Sequence, residues 1–480
     1  MSIKYTKVIV CFLLLLSLTL ASGCISPPEK GSVENESETE FVPAPVLDDN
    51  DAEMLRYREY REKIPLAFSE VLPAPEKDFE YSVSDDGQSV VINGYSGSER
   101  IVVIPETVDG KNVLAIAESA FKNSNLRAVY VPDSIKNIGK GAFAGCSELT
   151  TLRLPIIGDG AEYENAGYIF GAITYESNAV SVPASLNTII YGKNVTYIPD
   201  NAFSGFKSIE ALSFEGTLDG IGKFAFYENS SLIYAGISTL DGEVGNYAFA
   251  ECKNLVSMSF GTEVERIGLG TFLNCNSLKS LTLPFVGEKK DENQYLGYIF
   301  GAENVEWNSY FVPKALKEIT LLDFCSEIEN LAFSNCGQIC SIVLPDTIKK
   351  IGIRAFYKCS SLREITIPNA VEKIGDDAFF MCLSLGKVTF EKDADVSLGK
   401  QMFFMCTSLE KISLPDSTAI ISPSMFYGCK SLKTVNGKGI SSIGKDAFYG
   451  CMALEEVATV DADRIESGNT DYINAMNKNK

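Results

Sequence analysis

The stretch IKKIGIRAFYKCSSLREITIPNAV, residues 348–371, is followed at once by EKIGDDAFFMCLSLGKVTF, the same phrase respelled. A phenylalanine, usually preceded by alanine, recurs at Phe121, Phe143, Phe203, Phe226, Phe249, Phe272, Phe333, Phe356, Phe379, Phe403, Phe426 and Phe448; outside two gaps the spacing is 22, 23 or 24 residues. Each phenylalanine has an aliphatic residue five positions before it, often followed by glycine, and an L-x-x-I-x-I run after it. In the opening phrase these are Ile351, Gly352, Phe356, Cys359, Leu362, Ile365 and Ile367. A unit this short cannot bury its apolar positions alone, so the copies must stack and seal one another's greasy faces. The alternating apolar residues of the run have strand period, and the Phe segment needs a tighter turn.

The two gaps, of 60 and 61 residues, each contain GYIFGA, with Phe170 and Phe300. Each is expected to hold one degenerate coil plus an inserted loop. The fold class is therefore an α/β-type repeat solenoid of about 14 coils at the strand spacing of about 4.8 Å, mostly strands and short turns with little regular helix.

The phrase I-G-x-x-A-F-x-x-C-x-S-L-x-x-I-x-I-P resembles the BspA-like branch of leucine-rich repeats, over about residues 79–459. Residues 79–115 resemble that family's N-terminal capping unit, 116–459 its repeat array with the two GYIFGA inserts, and 460–480 form a C-terminal cap or tail. The resemblance implies a cell-surface or secreted protein that binds other proteins, in some members host matrix proteins or neighbouring microbes. It implies no enzymatic activity, and it brings no shared ligand site to transfer.

The N-terminus reads as an export signal over residues 1–23. Lys4 and Lys7 precede the 13-residue apolar stretch Val8 to Leu20, and Ala21-Ser22-Gly23-Cys24 follows. Small residues before a cysteine resemble the bacterial lipoprotein cleavage box, which makes Cys24 the candidate lipid attachment site and the membrane a partner through that lipid. Ala21 stands where that box prefers leucine, and Ala21 and Gly23 also suit ordinary signal peptidase, so plain secretion is the alternative. Residues 24–78 then supply an acidic tether followed by DAEMLRYREYREKIPLAFSEVL (51–72), expected to form a short helix broken near Pro65 and to act as a spacer.

Lys and Arg total 42 against 63 Asp and Glu, a formal charge of −21, which argues against nucleic acid as a partner. The chain has no histidine, which removes Ser-His-Asp and Cys-His catalysis and His-ligated metals together. No phosphate-binding loop or calcium-loop pattern occurs, and no cofactor is expected. Nine of the 13 cysteines sit three residues after a repeat phenylalanine: Cys146, Cys252, Cys275, Cys336, Cys359, Cys382, Cys406, Cys429 and Cys451. A disulfide framework is one reading for an exported chain. The other is a ladder of small buried thiols, because stacked in-register side chains suit a disulfide torsion poorly.

Binding candidates come from alternation. In each L-x-x-I-x-I run the residue between the last two apolar ones is expected to point outward. These are Tyr130, Arg153, Ser213, Gly236, Ser259, Thr282, Val343, Thr366, Thr389, Ser413, Asn436 and Ala458; six of the twelve are Ser or Thr, and only Arg153 is charged. Strand propensity explains exposed threonine; a contact surface for a protein or a glycan explains it equally. From this strip Tyr130, Arg153, Thr282, Thr366, Thr389 and Ser413 are the candidate contacts. The inserts add Tyr163, Tyr295 and Trp307 as possible loop-borne anchors, with plugging of an irregular coil as the alternative for their aromatics.

Overall fold

A computed structural model describes residues 51–478 apart from 65–66, 86, 392–394 and 458–459. The export signal, Cys24, the start of the tether and Ala458 lie outside the described residues.

One coil explains the rest. In the strand Glu364–Ile367 the side chains alternate exposed, buried, exposed, buried, so Ile365 and Ile367 face the core while Glu364 and Thr366 face out. This strand pairs in parallel with Lys387–Phe390, placing Ile365 beside Val388 and Thr366 beside Thr389. After the strand the chain turns into a two-residue strand, Lys373–Ile374, which pairs with Lys350–Ile351 of the coil before. The Phe segment closes the circuit. Two residues per coil there adopt left-handed backbone, such as Arg354 at φ 55° and Lys358 at φ 57°, and they tighten the chain enough to return it to the next strand. Even in this turn the ladder persists, since Phe356 N–H donates to Ala378 O of the next coil at 2.8 Å.

Glycine after the aliphatic position has a steric cause. A Cβ at Gly352 would sit 2.5 Å from Asn330 N of the coil below, so only glycine lets the corners approach this closely. The phenylalanines form the central ladder: Phe333, Phe356 and Phe379 are fully buried, with ring centroids 5.3 and 5.1 Å apart and nearly parallel planes. All described cysteines are free, buried thiols. Eight of the nine ladder cysteines donate to the carbonyl of the preceding coil's phenylalanine at 3.0 to 3.2 Å. Phe356 O thus accepts both Cys359 N–H of its own coil and the thiol of Cys382, which is why a small donor recurs at this position. Burial pushes these thiols' pKa up, as at Cys359 and Cys382. Cys336 differs; it follows an insert, and its thiol turns to Ser334 O at 3.9 Å.

The stack makes about 16 turns with 12% helix, against the 14 expected. Segments lacking the phrase continue it at both ends. Ser89–Tyr95 pairs in parallel with Lys111–Ile116, which pairs with Asn137–Ile138, and Ile465 bridges to Ile443 at the other end. The helix Thr470–Lys478 caps that end, where the buried Tyr472 ring stacks on Phe448 at 5.2 Å. In both inserts GYIFGA forms a short 3-10 helix, and Phe170 and Phe300 are buried plugs of the core. A buried asparagine pins each insert: Asn178 donates to Ser204 O at 2.9 Å, and Asn308 donates to Ala332 O and Ser334 O at 3.2 Å.

Candidate partner-binding face

The outward position of the long strands forms a row across two parallel sheets. One sheet runs from Ile101–Val103 to Tyr234–Val244, the other from Ser257–Ser259 to Glu456–Val457. The degenerate coil of each insert contributes a member that the spacing did not reveal. Ile190 sits between Arg153 and Ser213, and Thr320 between Thr282 and Val343. Both inserts carry a four-residue apolar-rich stretch, TIIY and EITL, which was the available signal.

The second sheet leaves the row open. Ser259, Val343, Thr366, Thr389, Ser413 and Asn436 are exposed, and Thr282 and Thr320 are half-buried. Thr366, Thr389 and Ser413 stand in register on adjacent strands. Charged residues flank the row without entering it, for example the exposed Glu364–Lys387 pair at 3.5 Å and Lys433–Glu410 at 3.4 Å.

The first sheet is different because residues 51–64 and 67–72 lie on it. Helix α1, Ala52–Lys63, begins at Asp51, whose carboxylate accepts from Glu53 N–H at 3.0 Å and Met54 N–H at 3.1 Å. The same carboxylate pairs with Lys279, which also meets Glu53 at 2.9 Å. That hydrogen bond holds the Asp51 carboxyl below the usual carboxylate range. Burial opposes the Lys279 charge, but Asp51 and Glu53 outweigh it and raise its pKa. Further along α1, Tyr57 meets Tyr234 edge to face at 5.4 Å, Arg56 pairs with Glu210 at 2.7 Å, and the Tyr60 hydroxyl donates to the same Glu210 carboxylate. Burial, then Glu210, pushes Tyr60 up to about 12. Ile64 is buried against Ile190 and Ala211, and Phe68 packs on Tyr130 with ring centroids 5.5 Å apart.

Two of the candidate contacts are corrected by this geometry. Arg153 does not point into solvent; it is 2% exposed. Its guanidinium lies 4.5 Å over the Tyr130 ring, pairs with Asp133 at 2.7 Å and Glu215 at 2.9 Å, and donates to Val131 O at 2.9 Å. Burial works against this charge, and the two carboxylates more than compensate, so its pKa is raised. Gly192 makes the room, since a Cβ there would come 2.5 Å from the Arg153 guanidinium. Tyr295 is also no loop anchor. It is buried, and its hydroxyl donates to Ala302 O at 3.0 Å inside the second insert. Tyr163 and Trp307 remain about two-fifths exposed, at 39% and 42%, stacked on Tyr168 and Phe311. They sit in separate inserts outside the parallel sheets, so the structure does not join them to the strand row.

A further row escaped the sequence reading. The residue after the core phenylalanine is aromatic in five consecutive coils, and Tyr357, Phe380, Phe404, Tyr427 and Tyr449 stack at 4.5 to 5.1 Å. Among the described residues no group of three or more His, Cys, Asp or Glu is placed to hold a metal ion, and no helix is long and apolar enough to cross a membrane.

Solved leucine-rich repeat proteins are among those to which the chain is similar. A leucine-rich repeat protein from Bacteroides ovatus is 20% identical, covering 75% of this chain and 98% of its own, with TM-score 0.35. A leucine-rich cell-surface protein from Faecalibacterium prausnitzii is 19% identical, covering 84% and 97%, with TM-score 0.29. The pneumococcal vaccine antigen PcpA is 18% identical, covering 83% and 97%, with TM-score 0.29. No curated protein sequence matches the chain. The model of the BspA type leucine-rich repeat region matches in six copies, over residues 104–161, 175–295, 304–397 and 326–455. That is more than half of the sequence and spans the Phe ladder, so the chain belongs to the BspA type leucine-rich repeat family.

Proposed function

We propose that this is an exported, non-enzymatic surface protein that binds a macromolecular partner, a protein before a glycan, through the open half of its strand face. The observation that carries this reading is the uncharged row from Ser259 to Asn436, exposed at six of its eight positions, on a chain of formal charge −21. A rigid ladder holds those side chains at fixed spacing, so contacts made over several coils add without an ordering cost for each one. Thr282, Thr366, Thr389 and Ser413 are the candidate contacts on this row. Tyr130 lies on the other sheet beneath the covering segment, and Tyr163 and Trp307 offer separate aromatic contacts on the inserts. Lipid on Cys24 would hold the protein on a membrane with the repeats facing outward.

The test is affinity capture of surface and matrix extracts by the full chain and by a Thr366→Lys/Thr389→Lys/Ser413→Lys variant. The expected result is a saturable partner that the variant fails to retain. Equal capture by both chains refutes the assignment of the face. For the anchor, Cys24→Ala should shift the protein from the membrane to the soluble fraction.

A further inference from the structure

Residues 51–64 and 67–72 cover apolar and aromatic outward side chains, Tyr130 under Phe68, Ile190 and Ala211 under Ile64 and Tyr234 under Tyr57, on a face that also holds Ser213 and Gly236; on the open side six of the eight outward residues are serine or threonine and one more is an exposed asparagine. Yet the covering segment is held lightly. No residue of α1 is buried. Its half-buried positions, Asp51, Met54, Tyr57 and Tyr60, recur every third residue along one side. Backbone bonds inside the segment are local, Leu55 N–H to Asp51 O, Ala67 N–H to Ile64 O and Val71 N–H to Phe68 O, and Ala74 N–H then donates to Val103 O at 2.9 Å where the chain enters the coils. Side chains carry its contacts to Lys279, Tyr234, Glu210, Ile190 and Tyr130. Its contacts also progress back along the stack: Asp51 at Lys279, Tyr57 at Tyr234, Arg56 and Tyr60 at Glu210, Ile64 at Ile190, Phe68 at Tyr130.

We propose that residues 51–72 are a detachable strap, and that the strand face beneath them is a docking site for a helical protein segment with an acidic first turn and Tyr, Tyr and Ile along one side. The strap is the resident occupant of that site. It peels from its Lys279 end, where ion pairs with partly exposed carboxylates are screened by salt, and a 12-residue helix released into water does not persist. That peeling enlarges the surface offered to a partner rests on the function proposed above; the docking itself does not.

The experiment uses the full chain. A strap-weakened variant, Asp51→Ala/Glu53→Ala/Tyr60→Ala, leaves every sheet residue intact and gives its own strap no charge with which to answer Lys279 or a change there, and the probe is a labelled synthetic peptide of residues 50–72 with the native sequence. The peptide should bind the variant saturably and about tenfold or more tighter than the native chain, whose own strap competes at high effective concentration. Adding Lys279→Glu to the variant should abolish that binding, and a peptide carrying Asp51→Lys/Glu53→Lys should restore it. Hydrogen exchange at residues 53–63 should become fast in the variant, while strands 364–367 and 387–390 stay protected and report an intact fold. Equal peptide binding to both chains, no binding to the variant, or unchanged slow exchange at 53–63 in the variant each overturns the proposal. These readouts need no external partner. Failure here leaves the open face standing, and failure of the capture experiment leaves the strap standing.

Discussion

The two halves of the strand face are built from the same phrase and the same core. Beneath the covered half, Phe203 and Phe226 stack at 5.2 Å; beneath the open half, Phe356 and Phe379 stack at 5.1 Å. What separates the halves is the outward residue. The covered half presents Tyr130, a buried Arg153 and Ile190, while the open half presents Val343, Thr366, Thr389 and Ser413 to solvent. A repeat scaffold therefore specifies where a side chain points from its coil. Whether that side chain meets water is decided by what else packs there, the 51–72 segment at Tyr130 and Ile190, and Asp133 and Glu215 at Arg153.

If the core is common to both halves, Phe203→Ala and Phe356→Ala should cost about the same, roughly 3–5 kcal/mol each, because both rings are fully buried in a ladder that cannot collapse around a void. Local hydrogen exchange is the suitable measurement, since a stack of nearest neighbours need not unfold in one step. A large difference between the two would break the premise that one scaffold underlies both faces.

The next effect separates the halves. Arg153→Met removes the cation between Asp133 and Glu215, whose side chains are 42% and 38% exposed. The loss should be roughly 2 kcal/mol, below that of a fully buried pair because water still reaches both carboxylates. The equivalent change on the open half, Thr366→Met, should stay within about 0.5 kcal/mol. Equal costs would mean that Arg153 is not buried as described.

A smaller effect concerns the strap. Ile64→Ala should speed exchange at residues 53–63 and cost on the order of 1–2 kcal/mol of docking, since Ile64 packs on only a small cluster with Ile190 and Ala211. Exchange at strand 364–367 should not change. Smallest of all, Thr366→Ala should alter stability by well under 1 kcal/mol, and a loss comparable to that of Phe356→Ala would invert the inward and outward assignment.

Much of this architecture was legible along the chain. The Phe, Ile and Leu positions carry a period, and each is buried by the copy of itself one coil away, so spacing alone located them. The cysteine ladder belongs to the same class, because the carbonyl that each thiol needs is delivered by the same repeat. The coil count fell short because Ser89–Tyr95 and the segment around Ile465 pair with the stack without spelling the phrase. Residues 52–63 were legible as a helix and not as a cover. Its apolar side is only Met54, Tyr57, Tyr60 and the following Ile64, diluted by arginine and glutamate, and nothing in its order names Lys279 or Glu210 as partners.

Tyr295 and Arg153 teach the same point from opposite directions. One is an aromatic residue on an insert that turned inward to bond Ala302 O; the other is a charge on a strand that was enclosed by two carboxylates and a tyrosine. The periodic sequence by itself determined the solenoid, its ladders and the direction of each strand side chain, because those depend on contacts between neighbouring copies. Only the tertiary structure decided which half of the face is open, because that depends on a non-repeating segment meeting residues in distant coils, from Tyr130 to Lys279, and no period records such a meeting.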